Sequence, residues 1–142
     1  MIELTATVIT FNEEGNIREC LESLSWVSTI IVVDSGSTDR TVEIAREYTD
    51  HVHVTDWPGH VEQKNRAISL AKTDWIISLD ADERVSEELR EEIIRNLQTE
   101  PDVPGFQCPG EPGIWVNGSV TVAGIRIERS GFSIGEKLTG RE

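Results

Sequence analysis

The sequence predicts an α/β fold, with a mostly parallel β-sheet that carries helices on both of its faces. Short apolar runs alternate with segments whose apolar residues recur at helical spacing, from Glu3 to Leu97. Three of the apolar runs end abruptly in polar or acidic turns, as strands do at the edge of a sheet. Strands that alternate with helices are joined by right-handed crossovers, and such crossovers make neighbouring strands parallel.

The first half of this alternation contains two strands, each followed by a helix. Glu3–Thr10 is rich in β-branched residues and becomes apolar at its end, which favours a strand. Apolar residues at helical spacing then predict a helix over Ile17–Trp26. Thr29–Val33 is a continuous apolar run typical of a buried strand, and a polar loop leads from it into a helix at Val42–Tyr48.

The second half repeats the pattern. His51–Val54 is expected to form a short third strand, and His60–Lys72 the helix after it. Trp75–Leu79 is short, apolar and flanked by acids, so we expect a fourth strand buried on both faces. Glu87–Leu97 has an amphipathic apolar stripe and is expected to form the last helix.

Composition divides the chain into residues 1–108 and an atypical tail, residues 109–142. The tail has four basic and four acidic residues, so the first part carries the whole net charge of −13. One more strand is expected within Pro101–Cys108, and a hairpin from Val120–Val122 and Gly124–Ile127. The change of composition leads to the hypothesis that the tail is translated out of frame after Gln107; a genuine divergent tail is the alternative.

Charge and cysteine content exclude several classes of function. A net charge of −13 argues against binding nucleic acid or anionic lipid, since both would be repelled. No apolar run is long enough for a transmembrane segment. Cys20 and Cys108 are isolated, which indicates no zinc site and fits a reducing cytoplasm.

Acidic residues follow the fourth strand, where Asp80 and Asp82 are separated by a single residue. Two carboxylates so close repel each other unless a positive charge lies nearby, and a divalent cation that also binds phosphates is the usual solution. The alternative is an acidic turn in which Asp82 or Ser86 caps the last helix. Ligands collect at the carboxyl ends of strands in open α/β sheets, which favours a site here.

Polar turns also follow the first and second strands, at Thr10–Glu13 and Asp34–Asp39. Taken singly, Asn12 and Ser37 could be helix caps, and Asp34 a simple strand-ending acid. With the acidic turn after the fourth strand, they form the order T-x-N-E, V-D-x-x-S-x-D, D-x-D. In this order and spacing the set resembles the family-2 glycosyltransferases of GT-A fold, from Leu4 to about Gln107.

Within that family the resemblance looks closest to lipopolysaccharide inner-core glucosyltransferases. It implies inverting transfer of a sugar, glucose, from a nucleotide-diphosphate sugar such as a UDP-sugar to a lipopolysaccharide core acceptor. It also implies Mg²⁺ or Mn²⁺ as cofactor, and a cytoplasmic enzyme that is peripheral at the inner membrane.

Carried over residue by residue, the resemblance implies a nucleoside site. Thr10 and the turn after it, with Asn12 and Glu13, would line the nucleobase pocket. Asp34 would accept hydrogen bonds from the base or the ribose.

The resemblance places the diphosphate at the D-x-D. Asp80 would bind ribose or metal-bound water, and Asp82 would ligate the metal. Lys64, on the preceding helix, would reach a phosphate, with a solvated helix lysine as the alternative.

Other candidates are assigned structural roles. His51 and His53 are interpreted as ordinary strand histidines, because no third metal ligand lies at a sensible spacing. Trp57 and Trp75 are expected in the core, with platforms for a sugar ring as the alternative.

The chain resembles the donor half of such an enzyme more than the acceptor half. No general base is identifiable, because in the family that carboxylate lies after the D-x-D and the tail contains no Asp. An inactive, truncated relative that binds only nucleotide diphosphate is therefore the alternative, and a sheet incomplete at its C-terminal end would leave apolar surface near Trp75–Leu79 poorly covered. A nucleotidyltransferase would need a Gly- and Arg-rich loop after the first strand, which is absent.

Overall fold

The computed structural model of the protein describes residues 3–73, 75–99, 114–116, 119–122 and 125–129. Its strands are β1 (Leu4–Thr10), β2 (Thr29–Asp34), β3 (Val52–Val54), β4 (Trp75–Asp80), β5 (Ile114–Val116), β6 (Ser119–Val122) and β7 (Ile125–Arg129). Its helices are α1 (Ile17–Glu22), α2 (Thr41–Ala45), α3 (His60–Ser69) and α4 (Glu87–Thr99).

These strands form a single seven-stranded sheet in the order β3-β2-β1-β4-β7-β6-β5. The first four in this order are parallel, and β7, β6 and β5 continue the sheet in antiparallel pairing. The predicted α/β class, with a mostly parallel sheet from the alternating part of the chain, is therefore confirmed. None of the described helices combines the length and hydrophobicity needed to span a bilayer.

The helices cover both faces of the sheet, as predicted. One face packs against α1, α2 and α4 through a core that includes Leu4, Val8 and Ile77. The other face packs against α3, where Ala67 contacts the cluster containing Ile9. Because β1 lies between the two helical layers, all seven of its residues are buried.

Three helices are shorter than the periodicity predicts. α1 ends at Glu22 rather than at Trp26, α2 at Ala45 rather than at Tyr48, and α3 at Ser69 rather than at Lys72. The chain turns after Glu22, where the Ser23 hydroxyl donates to the Cys20 carbonyl at 2.7 Å and the Trp26 indole donates to the Ser23 carbonyl at 2.7 Å. Local hydrogen bonds of this kind compete with helix continuation.

The described part of the tail belongs to the sheet. The expected hairpin corresponds to β6 and β7, in which Val122 lies opposite Ile125, while the strand expected within Pro101–Cys108 lies outside the described residues. β7 in turn pairs with β4. The expectation of poorly covered apolar surface along β4 is wrong, since Trp75 is 5% exposed and Leu79 is fully buried.

Parallel pairing brings three strand ends to one edge of the sheet. Thr10 at the end of β1 lies opposite Asp34 at the end of β2. On the other side of β1, Ile9 lies opposite Asp80 at the end of β4. The predicted convergence of the three polar turns is thus a consequence of strand register.

Candidate functional site

A cleft of about 210 Å³ lies at this edge of the sheet. It is lined by Ile9, Thr10, Phe11, Glu13, Trp57, His60, Asp80, Ala81 and Asp82. The structure therefore brings together four of the residues singled out from the sequence, Thr10, Glu13, Asp80 and Asp82. With three carboxylates in its wall, the cleft favours a cation, or an anion that arrives with a cation.

Hydrogen bonds within the D-x-D turn hold its backbone in place. The Asp80 N–H donates to the Glu83 carboxylate at 2.8 Å, and the Glu83 N–H donates to the Asp80 carbonyl at 2.9 Å. Arg84 forms an ion pair with Glu19 of α1, which fastens the turn to the neighbouring helix. Asp82 is thereby presented as an exposed carboxylate on an ordered turn.

Cys20 lies beneath the same turn. Its thiol is fully buried and donates to the Asp80 carbonyl at 3.8 Å. Burial raises the pKa of this thiol to about 12, and the nearby carboxylates of Glu83 and Asp82 add to the rise. The cysteine is consequently a packing residue with an inert thiol.

Lys64 lies close to one of the two aspartates. Its Nζ is 3.2 Å from Asp80 Oδ1, with 20% of the lysine side chain and 38% of the aspartate side chain exposed. Asp80 Oδ1 is buried and has no hydrogen bond of good geometry within the described residues, so this ion pair is its main electrostatic contact. The alternative of a merely solvated lysine is wrong, and Asp82 is left as the more available carboxylate.

The turn after β1 is tied to the loop after β2. Asn12 has a left-handed backbone, with φ of 53°, which asparagine tolerates better than most residues. Its N–H donates to Ser37 Oγ at 2.7 Å, and its side-chain oxygen accepts from the Thr38 N–H at 2.8 Å. Neither Asn12 nor Ser37 is a helix cap, since α1 and α2 begin after Asn16 and Arg40. Asn12 therefore shapes the site by joining two loops.

Asp34 organises the second loop. The residue is fully buried, and its Oδ2 accepts from the N–H groups of Gly36 at 2.9 Å and Ser37 at 2.7 Å. Its Oδ1 accepts from the Ser37 hydroxyl. Asp34 is not among the residues that line the cleft, so the structure supports a role in shaping the loop.

An aromatic cleft of about 410 Å³ adjoins the acidic one, because Phe11 and Trp57 line both. Ser35 lines the aromatic cleft with them. Phe11 is 52% exposed and Trp57 54%, so the expectation that Trp57 belongs to the core is wrong, whereas Trp75 is buried as expected. The Trp57–Pro58–Gly59 turn follows β3 at the same edge of the sheet, which places the indole outside the core and edge-on to His60.

Gln63 is a buried residue that sequence reasoning missed. It is fully buried on α3 and donates from Nε2 to Ser35 Oγ at 3.0 Å and to Thr55 Oγ1 at 2.9 Å. A polar residue on an amphipathic helix is usually solvated, so nothing in the pattern separated Gln63 from its neighbours. His60 was also missed, because nothing in the sequence distinguishes this exposed first residue of α3 from an ordinary solvated one.

Comparison with known proteins identifies the family. Residues 5–132 match the sequence model of the family described as Glycosyl transferase family 2. The chain belongs to this family. An uncharacterized glycosyltransferase of Rickettsia felis is 46% identical over 94 residues, which cover 66% of this chain and 33% of that protein. The lipopolysaccharide core biosynthesis glycosyltransferase LpsC of Rhizobium meliloti is 33% identical over 116 residues, covering 78% of this chain and 43% of LpsC.

A solved structure with the same fold is glucosyl-3-phosphoglycerate synthase from Mycobacterium tuberculosis, in complex with Mg²⁺ and uridine diphosphate. It aligns with a TM-score of 0.60 and 25% identity, over 72% of this chain and 42% of the synthase. The chain thus spans less than half the length of these three proteins. The GT-A type of α/β fold inferred from the motifs is confirmed.

The donor set of the acidic cleft fits a hard divalent cation. No group of three or more His, Cys, Asp or Glu side chains suited to a metal occurs within the described part of the chain. Mg²⁺ is commonly held by one or two carboxylates together with substrate phosphates and waters, and Asp82 with Asp80 supplies that number. His51 and His53 line a different cavity, of about 320 Å³, together with Lys72.

Proposed function

We propose that this chain is the donor-binding part of an inverting glycosyltransferase that uses Mg²⁺ or Mn²⁺. The donor is a nucleotide-diphosphate sugar, a UDP-glucose-like molecule, and the acceptor is a lipopolysaccharide core. The proposed place of action is the cytoplasmic side of the inner membrane. The observation that supports it most is the convergence of three strand ends on one cleft, in which Asp82 stands exposed beside Asp80.

Electrostatics explain why the diphosphate would need a metal. Glu13, Asp80 and Asp82 line the cleft, so a diphosphate entering alone would be repelled. A divalent cation held by Asp82, with Asp80 beside it, supplies charge stabilisation to the departing nucleoside diphosphate. Lys64 forms a 3.2 Å ion pair with the Asp80 carboxylate, and its positive charge reduces the repulsion between Asp80 and Asp82.

The nucleoside part would occupy the adjoining aromatic cleft. Phe11 and Trp57 present large exposed rings there, and planar bases stack favourably on such rings. Thr10 and Glu13 line the acidic cleft beside Phe11, which also lines the aromatic cleft, and they would contact a ribose between base and diphosphate. In this arrangement Asp34 and Asn12 act indirectly, by holding the loops that carry Phe11 and Ser35.

The lipopolysaccharide core acceptor is proposed from the relationship to LpsC. No described residue is assigned as the general base that removes the proton of the acceptor hydroxyl. A second candidate function is that the chain binds nucleotide diphosphate without turnover. It is favoured by the described residues, which supply an acidic cleft for a metal and a diphosphate but no assigned general base.

Two measurements on the 142-residue chain test these proposals. Calorimetric titration with UDP, with and without Mn²⁺, should show binding that strengthens when the metal is present. A donor-hydrolysis assay then separates the transferase from the non-catalytic relative, because only the former releases UDP from UDP-glucose. Absence of any UDP binding with Mn²⁺ would remove the donor-site proposal.

A further inference from the structure

The orientation of the buried Gln63 amide is fixed by chemistry. Arg66 Nη1 lies 2.9 Å from Gln63 Oε1 and donates to it, and a guanidinium has donors but no acceptor. The amide oxygen must therefore face Arg66, and the amide NH₂ must face the other way. On that side lie the hydroxyl oxygens of Ser35, at 3.0 Å, and Thr55, at 2.9 Å.

This orientation determines what the Ser35 hydroxyl can offer a ligand. Ser35 Oγ accepts from Gln63, so its own proton has to find another acceptor. Within the described residues no acceptor for that proton is found. Thr55, by contrast, donates to the Asp56 carbonyl at 2.9 Å. Ser35 thus presents an O–H donor that no described residue uses to the cleft that it lines with Phe11 and Trp57.

We propose that Ser35, oriented by Gln63 and Arg66, is a specificity-determining donor. It selects a nucleobase that places a carbonyl oxygen opposite the Ser35 hydroxyl. The inference rests on the proposed function, in which the aromatic cleft takes the base. A carbonyl accepts the Ser35 proton, whereas an exocyclic amino group would bring a second donor against it and leave both unsatisfied. Uracil and cytosine differ in this way at one ring position, so UDP should be preferred to CDP.

The test compares the dissociation constants of UDP and CDP, with Mn²⁺, for the wild-type chain and three variants. Both ligands carry the same ribose and diphosphate, so their ratio isolates the base. The wild type should prefer UDP by about tenfold, the usual effect of one hydrogen bond. Ser35→Ala should weaken UDP and leave CDP nearly unchanged, so that the preference disappears. Ser69→Ala, on the exposed end of α3, is the matched control and should keep it.

Gln63→Glu reverses the polarity of the same contact. An ionised carboxylate only accepts, so the Ser35 hydroxyl must turn its proton toward it and offer lone pairs to the cleft. The UDP preference should then fall to unity or below, with CDP gaining. If this variant melts below the assay temperature, the comparison of Ser35→Ala with Ser69→Ala decides alone.

The two proposals fail differently. Equal, metal-dependent binding of UDP and CDP by the wild type, or a preference that survives Ser35→Ala, overturns the role of Ser35 and leaves the donor site intact. If neither UDP nor CDP binds in the presence of Mn²⁺, the proposed function is overturned, and the specificity inference with it.

Discussion

Replacing Asp34 distinguishes a residue that contacts the ligand from one that holds a loop. In the structure the carboxylate accepts three hydrogen bonds, two from backbone N–H groups and one from the Ser37 hydroxyl. Asp34→Ala removes all three. Asp34→Asn keeps the shape, and its amide oxygen can still accept from the two N–H groups while its NH₂ donates to Ser37 Oγ.

The magnitude follows from how easily water replaces each lost partner. A hydrogen bond to a charged group contributes about 1.5–3 kcal/mol, and less when its donor is released to solvent. Gly36 is exposed and Ser37 half-buried, so water can reach both donors. We expect Asp34→Ala to lower the free energy of unfolding by about 2–3 kcal/mol and Asp34→Asn by about 1 kcal/mol.

Chemical denaturation and UDP titration, performed on the same samples, read out the two roles. If Asp34 acts through its loop, UDP affinity falls in parallel with stability, with or without Mn²⁺, and Asp34→Asn binds nearly as well as the wild type. Asp50→Ala, which removes an exposed acid elsewhere, should change neither quantity. Stable Asp34→Asn protein with strongly weakened UDP binding would refute the loop role and restore direct contact with the ligand.

Three further predictions concern the acidic turn. Asp82→Ala should abolish the Mn²⁺-dependent gain in UDP affinity without lowering the melting temperature, and an unchanged metal dependence would contradict the assignment. A double-mutant cycle of Lys64→Met with Asp80→Asn should give a coupling of about 1 kcal/mol in the free energy of unfolding, because the ion pair is partly exposed. A coupling near zero would show that the ion pair does not stabilise the fold. In a Cys108→Ser background, iodoacetamide at pH 8 should alkylate Cys20 of the folded protein about a hundredfold or more slowly than Cys20 of the protein unfolded in urea. The reason is that a pKa of about 12 leaves little thiolate until the pH approaches that value. Rapid labelling of the folded protein would show the thiol to be accessible.

The sequence was most informative where local pattern and global fold agree. Trp75–Leu79 and Thr29–Val33 could be recognised as buried strands, because parallel strands covered on both faces are continuously apolar. Convergence of the polar turns then followed from the rule that parallel strands end at the same edge. Helix ends were less predictable. The helix ends at Glu22 because the Ser23 and Trp26 side chains donate hydrogen bonds to nearby carbonyls, and the spacing of apolar residues carries no information about such bonds.

The roles of individual polar residues were harder to predict. Asp34 and Asn12 were expected to contact the nucleoside, whereas in the structure they hydrogen-bond to loop residues, through distances that only the folded chain sets. Gln63 was overlooked and Trp57 was expected in the core. Glutamine is usually exposed and tryptophan usually buried, whereas here the amide is buried and the indole is exposed. Out-of-frame translation of the tail after Gln107 stays a prediction, which sequencing of the coding region tests.

The direction of β7 gives the sheet a place where new specificity can arise. Because β7 runs antiparallel to β4, the chain enters β7 near the edge at which β4 ends in its acidic turn. β6 ends at Val122, directly opposite Ile125, so the end of β6 and the start of β7 both lie at that edge. Insertions or substitutions between Val122 and Ile125 would change the surroundings of Asp80 and Asp82 without shifting the register of any strand. Changes there would leave β1, β2 and β4 as they are, so the surroundings of the acidic turn can vary independently of the strands that position it.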